Sequence, residues 1–281
     1  MNNLKKVKIF GKYVFYYLSN DKYIGQRIAL EKYEPYETQL ILRQTKKGNT
    51  IIDVGANIGY YTVLLADKVG KTGKVYAFEP DIINFEILKK NIEANNLKNV
   101  ELINAAVGSK VGKLKLHKSK ENLGDHKLYK TPLGYAASPL DEGKTVKIVK
   151  LDEYLKDKKV DLMKIDTQGW EPEVIEGAKN IIAKNKPTMF LEYSPASYKI
   201  AKLDGQKMMK NLSKIYKNIW WIDEWLYIYK KLKQKEIDKK CVTNKTGYAD
   251  LWMKKEISLG DKIGQIRNLK IKKLIKKILG L

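Results

Sequence analysis

Apolar and polar positions alternate from Val7 to Leu18 around Gly11, a period of two that predicts a short hairpin. Pro35–Thr45 predicts a helix that delivers the chain to the first core strand. The apolar run Thr50–Val54 then breaks at Gly55 and Gly59 and resumes as Ile58, Tyr61, Leu65 and Val69. Those spacings of three, four and four mark one face of an amphipathic helix, so the pattern is buried strand, glycine turn, helix. A second apolar strand lies in Lys74–Asp81 (KVYAFEPD), a helix is marked by Phe85, Leu88 and Ile92, and a third strand runs from Val100 to Asn104. Strand, helix, strand, helix, strand is the signature of a doubly wound parallel sheet.

The rhythm then changes. Lys113–His117 reads as an extra strand, and Glu121–Gly143 is polar and glycine-containing with no period. An irregular stretch of that length predicts a functional loop or lid, or disorder. Regularity returns with Thr145–Lys150, with Leu151–Leu155 (LDEYL), and with the strand–turn–helix of Val160–Ala178. Pro187–Tyr193 is a fifth strand, and Asp204 is placed to cap a helix carrying Met208, Leu212 and Ile215. Ile219–Tyr229 and Tyr248–Met253 read as antiparallel strands that close the sheet. The expected organisation is an extension packing on the core (1–48), a catalytic domain (49–255, with an irregular insert at about 118–144) and a C-terminal helix (256–281).

That last segment, DKIGQIRNLKIKKLIKKILGL (261–281), sets Ile263, Ile266, Ile271, Leu274, Ile275 and Ile278 at helical spacing opposite a lysine-rich face. Such a helix suits an anionic membrane surface, or else docking on protein. The formal net charge of +23 invites a nucleic-acid reading, but the only arginines are Arg27, Arg43 and Arg267. Bidentate phosphate and base recognition favours arginine, so nucleic acid is the lesser expectation. Cys241 is the single cysteine, which excludes a disulfide framework and a thiolate metal cluster. No signal peptide and no apolar run of spanning length is present, so a cytoplasmic location is expected, peripheral to the inner face of the membrane if the tail binds lipid.

The glycine turn narrows the ligand. It lacks both the G-x-G-x-x-G dinucleotide fingerprint and the G-K-[ST] phosphate loop, and it carries Asp53 at the strand end. A carboxylate there repels phosphates and suits an ammonium group, as in the amino-acid head of S-adenosylmethionine. Glu79, ending the second strand, is placed to accept the ribose hydroxyls. Small residues in Ala105–Ser109 leave room for adenine. Asp166 stands at the carboxyl end of the fourth core strand, where open α/β sheets bind ligands.

Six stretches together carry a family likeness: YEPYE (Tyr33–Glu37), IIDVGANIGYYT (Ile51–Thr62), YAFEPD (Tyr76–Asp81), NAAVG (Asn104–Gly108), LDEYL, and KIDTQGWEPEVIEGA (Lys164–Ala178). By these the chain resembles the FkbM-type S-adenosylmethionine-dependent methyltransferases. The resemblance implies an α/β class I (Rossmann-like) methyltransferase fold, mostly parallel with an antiparallel edge. It implies transfer to a hydroxyl of a glycan or secondary metabolite, and a cofactor site at Asp53, Gly55, Asn57, Gly59, Glu79, Pro80, Asn104, Ala105 and Asp166. Asn57 stands where many methyltransferases have glycine, and Gln168 where glutamate is frequent.

Methyl transfer to a hydroxyl needs positioning and a proton acceptor. The candidates are Asp166, Glu171, Glu192 and, in the insert, His126. Asp166 has a competing reading as helix N-cap, Glu171 as a first-turn acid, and both His117 and His126 as exposed polar residues. Trp170 suits acceptor stacking or packing. No metal-ligand spacing is present. The rival reading is an RNA 2′-O-methyltransferase using the basic surface, and a third is a non-catalytic cofactor-binding or adaptor protein.

Overall fold

A computed structural model describes residues 3–119, 122, 124–131, 143–243, 247–258, 260, 261 and 264. The chain opens with the hairpin β1 (Leu4–Ile9) and β2 (Tyr13–Leu18), then α1 (Gly25–Ala29) and α2 (Pro35–Gln44). The first core strand β3 (Thr50–Val54) leads to α3 (Tyr60–Val69), followed by β4 (Lys74–Phe78), α4 (Ile82–Ala94) and β5 (Val100–Ile103). A short β6 (Ala106–Val107) precedes β7 (Gly112–Leu116), β8 (Lys144–Val149) and α5 (Leu151–Tyr154). Then come β9 (Leu162–Ile165), α6 (Glu171–Gly177), α7 (Lys179–Asn185), β10 (Thr188–Tyr193), α8 (Pro195–Ile200) and α9 (Gly205–Ile215). The described secondary structure closes with β11 (Asn218–Asp223), β12 (Ile228–Lys231), α10 (Gln234–Thr243) and β13 (Ala249–Lys254).

The main sheet has the order β12-β11-β13-β10-β9-β3-β4-β5. Strands β10, β9, β3, β4 and β5 are parallel, and β13 enters antiparallel beside β10. This is the doubly wound, mostly parallel sheet with an antiparallel edge that the sequence pattern predicts. The parallel strands read as near-continuous apolar runs because both faces are covered. Two details differ from the sequence pattern. Ile219–Tyr229 is not one strand but the hairpin β11–β12, since Asp223 accepts from Trp225 N and Leu226 N and turns the chain. The extra strand β7 joins β8 and β6 in a separate three-stranded sheet.

One face of the main sheet buries Ile52, Met163, Leu191 and Met253 under α6, α9 and α10; the other buries Ile51, Leu162, Phe190, Trp220 and Trp252 under the N-terminal elements and α3. The N-terminal hairpin is fastened by side chains that imitate a strand. Asn91 of α4 and Asn95 at its C-cap each accept from and donate to the hairpin backbone, at Tyr16 and Val14, with distances of 2.6–3.1 Å. These bonds satisfy backbone groups that an edge strand leaves open. Asp204 caps α9 through Lys207 N at 2.8 Å, as its position predicts. Among the described residues no helix is long and apolar enough to cross a membrane. Residues 265–281, and with them most of the predicted basic helix, lie outside the described residues, as does most of the insert.

The sheet's ligand edge is set by one close approach. Gly55 has φ +84°, and a Cβ built there would overlap the carbonyl oxygen of Asp166. Asp166 N in turn donates to Val54 O at 3.0 Å, so β3 and β9 meet through backbone alone at this point. Gly55→Ala is therefore expected to cost about 3 kcal/mol or more, from strain plus overlap. Gly11→Ala, at φ +62° with nothing within 4 Å, should cost only about 1 kcal/mol. Urea denaturation of both variants checks the contrast, and equal losses would show that φ alone matters.

Candidate functional site

The glycine turn and the end of β4 are built as one unit. Gly55 N and Ala56 N both donate to Phe78 O at 3.0 Å. Asn57 takes φ +50°, which aims its N–H at Glu79 Oε2, 2.8 Å away. Glu79 Oε1 accepts from Asp81 N at 2.8 Å. Asn104 lies behind, its Nδ2 donating to Glu79 O at 2.8 Å and Pro80 O at 3.2 Å. Glu79 is 5 % exposed, and burial pushes it up to about 8 against the two backbone N–H groups that favour its charged form.

Gly55, Asn57, Glu79, Pro80, Ala105 and Asp166 all line one cleft at the carboxyl ends of β3 and β4. Asn104 braces this cleft without lining it, and Gly59 serves as the left-handed N-cap of α3, its φ of +89° packed against Leu88. Asp53 stands behind the turn rather than in the cleft wall. It is 2 % exposed, its Oδ2 accepts from Thr62 Oγ1 at 2.6 Å, and burial raises it to about 6. An unfavourable setting for phosphate therefore rests on the lining itself: among the described residues lining the cleft the acids are Glu79 and Asp166, with no Lys or Arg.

That lining fits S-adenosylmethionine. It offers a carboxylate for ribose hydroxyls, small side chains at Ala105 and Ala106, and the indole N–H of Trp170. Trp170 Nε1 is buried and has no hydrogen-bond partner among the described residues, which leaves one donor for a ligand acceptor. The segment after β7 closes over the cleft. His117 pairs backbone to backbone with Lys127, Lys118 forms an ion pair with Asp81, and Tyr129 donates to Gln168 O at 2.9 Å. Gly124, His126 and Leu128 consequently line the cleft, and His126 Nδ1 accepts from Ser119 N at 3.2 Å. His117, expected to be exposed, is buried at 5 %, because this bridge folds it under the segment.

Strand β9 ends in a second cluster. Asp166 does not cap α6, whose N-cap is Trp170 with no side-chain bond. Instead Asp166 Oδ2 lies 3.3 Å from Lys164 Nζ, and Oδ1 accepts from Gln168 Nε2 at 2.8 Å. The same amide nitrogen reaches Glu192 at 3.3 and 3.5 Å, so Gln168 bridges two carboxyl groups where an acid would repel both. Glu171 is fully buried and is not presented to the cleft. Its carboxylate accepts from Thr167 N at 2.7 Å, Thr167 Oγ1 at 2.9 Å and Gly169 N at 3.1 Å, holding the turn in which Gln168 (φ +56°) and Gly169 (φ +99°) are left-handed.

Lys164, for which no role was read from the sequence, is the cationic centre of this cluster. It is 5 % exposed, 3.8 Å from Glu37 Oε1 and 4.7 Å from the Tyr61 ring centroid. Burial works to lower it, but Asp166, Glu37, Glu34 and Asp53 outweigh that and hold it well above the ordinary lysine value. Burial pushes Glu37, Glu192 and Asp250 well above the usual carboxylate range, and Glu34 up as well. Tyr61 donates to Glu34 Oε2 at 2.8 Å. Glu34 and Glu37 belong to the YEPYE motif, so the N-terminal extension forms a wall of the site. The available signal was a lysine inside the otherwise apolar strand LMKI. Among the described residues no group of three or more His, Cys, Asp or Glu side chains is placed to hold a metal ion.

The model of the methyltransferase FkbM domain matches residues 53–229, more than half of the chain. The chain is 25 % identical over 143 residues to Methyltransferase 1 of Beauveria bassiana (strain ARSEF 2860), covering 45 % of this chain and 57 % of that protein. It is 27 % identical over 154 residues to methyltransferase sdnD of Sordaria araneosa, covering 45 % of this chain and 59 % of that one. The chain thus spans less than two thirds of the length of these relatives. The crystal structure of methyltransferase FkbM from Methylobacillus flagellatus KT is similar with a TM-score of 0.44 and 16 % identity, over 75 % of this chain and 44 % of that one.

Two outcomes are expected from this geometry. Ribose hydroxyls bond a carboxylate better than a carboxyl, so binding of S-adenosylhomocysteine should tighten about tenfold between pH 7 and pH 9 as Glu79 ionises through about 8. Calorimetry would show it, and a flat profile would remove Glu79 from the ribose. Gln168→Glu sets a third acid between Asp166 and Glu192, raising its folded-state pKa above the unfolded value. The variant should match the parent near pH 4 and lose about 2 kcal/mol as pH rises through the carboxylate range. Denaturation at both pH values checks the sign.

Proposed function

The chain belongs to the FkbM methyltransferase family and S-adenosylmethionine is its cofactor; on that premise we propose that it methylates a hydroxyl group of a glycan or small hydroxylated metabolite, with Asp166 as the proton acceptor. The observation that carries this reading is the place of Asp166. It lines the cofactor cleft and at the same time belongs to the carboxyl cluster of Glu192, Glu37 and Lys164.

The bound cofactor supplies an electrophilic methyl group on a sulfonium. The chain's residues have three tasks. Lys164 and Gln168 hold the two oxygens of Asp166 in one orientation. Asp166 takes the acceptor's proton as the O–C bond forms and the C–S bond breaks, so the sulfonium charge is discharged and the proton ends on the carboxylate. Glu34, Glu192, Asp250 and Tyr248 each lie within electrostatic range of Asp166 and offer hydrogen-bonding groups to an acceptor with several hydroxyls.

A panel of glycans and hydroxylated metabolites with labelled cofactor, run beside total RNA, identifies the acceptor class. Asp166→Asn is expected to lower kcat about 10²- to 10⁴-fold while S-adenosylhomocysteine still binds. Label appearing in RNA alone, or full turnover by the variant, would replace this reading.

A further inference from the structure

The hairpin tip between β11 and β12 presents an apolar surface that the described residues leave largely uncovered. Trp225 is 93 % exposed, and Leu226 and Tyr227 beside it are 40 % and 50 % exposed. The polar residues of the same turn face inward. Asp223 Oδ1 accepts from Trp225 N at 3.1 Å and Leu226 N at 3.0 Å. Glu224 turns back to accept from Tyr36 N at 3.0 Å and from Glu37 N, capping α2. Tyr227 is anchored by its ring contact with Tyr36, 5.4 Å between centroids. The tip is therefore held from behind, with Trp225 almost fully exposed, Leu226 exposed beside it, and Tyr227 half-exposed against Tyr36.

Topology fixes where this tip points. Strand β13 is antiparallel to β10, and β11 is antiparallel to β13, so β11 runs in the same direction as β10. The turn after β11 thus lies on the carboxyl edge of the sheet, the edge that holds Asp166 and Glu192. Glu224 is within electrostatic range of Glu34, Glu37 and Asp250, which places the tip beside the carboxyl cluster. Cations also stand near the turn: Arg27 lies close enough to act on Glu224, Lys230 is exposed two residues beyond the start of β12, and the chain carries a net charge of +23.

We propose that the tip formed by Trp225, Leu226 and Tyr227 is a membrane-docking element that seats in the interface of an anionic bilayer. Tryptophan and tyrosine partition to the headgroup level, leucine reaches the acyl boundary, and flanking lysine and arginine are drawn to anionic lipid. Docking does not depend on the acceptor's identity. Its consequence rests on the function proposed above: a hydroxyl carried by a lipid-borne acceptor would meet the cleft at the edge that faces the bilayer.

The test uses the full chain with vesicles of phosphatidylcholine and phosphatidylglycerol (3:1), with and without bromine-labelled acyl chains. Of the five tryptophans, Trp220, Trp221 and Trp252 are buried and Trp170 is half-buried, so quenching by bromine reports on Trp225. Sedimentation with these vesicles, blue-shifted emission and quenching are expected, each weakened by high salt. Trp225→Phe should keep vesicle binding within about threefold and abolish the quenching. Paired Trp225→Ser and Leu226→Ser substitutions should weaken binding about tenfold, as loss of buried apolar area requires. S-adenosylhomocysteine affinity should be unchanged in every variant, which separates this result from any failure of the methyl-transfer reading. Binding without quenching would assign the surface to another segment such as residues 261–281. No binding, or quenching by soluble oligosaccharide and not by vesicles, would equally overturn the proposal.

Discussion

One buried ammonium group governs the architecture around the candidate active site. Lys164 sits within a central parallel strand, in register with Asp53 of β3 and within 4 Å of carboxylates on β9 and α2. An uncompensated lysine at that depth would be costly, so the fold must bring acids to it from several elements. Asp166 comes from the same strand two residues on, but Glu37 comes from the N-terminal extension. The extension is consequently part of the site's electrostatics and is held on the core for more than packing. The same charge acts to lower Glu34, Glu37 and Asp250, although burial prevails at each of them.

The division of labour among the acids follows from their hydrogen bonds. Glu171 spends its oxygens on Thr167 and Gly169 and keeps two left-handed residues in place. Asp53 is engaged by Thr62 behind the glycine turn. Glu79 keeps two backbone N–H groups in the cleft, and Asp166 alone among these acids belongs to both the cleft and the Lys164 cluster. Residue type could not separate these four roles. All are acids at strand ends or first helical turns, and only the direction of each carboxylate tells which one is free to meet a ligand.

Much of the fold was legible because its signals are local. The spacing of Ile58, Tyr61, Leu65 and Val69 produces α3, Asp204 caps α9, and the apolar strands run where their patterns place them. The hairpin in Ile219–Tyr229 was not legible as such. Its strand residues are apolar on both sides of the turn, and the turn is made by an aspartate side chain rather than by glycine or proline. Lys164 went unassigned for a related reason: a single lysine in an apolar strand has no period, and its partners are distant in sequence. Trp170 was read as stacking on the acceptor or as packing; it packs against the core and lines the cleft.

The sequence by itself determined the strand–turn–helix units, the doubly wound class and the family, because these depend on periodicity and on short motifs that are contiguous in the chain. It also showed that neither phosphate-binding glycine fingerprint is present, but the acid it set against phosphates, Asp53, stands behind the turn and not in the cleft wall. Only the tertiary structure decided which acids line the cleft, that YEPYE supplies partners for Lys164, and that Trp225 stands at the ligand edge. Each of those facts depends on side-chain direction and on contacts between segments up to some two hundred residues apart, such as Glu224 with Tyr36. Linear spacing carries no information about such distances. They are set when the strands take their order in the sheet.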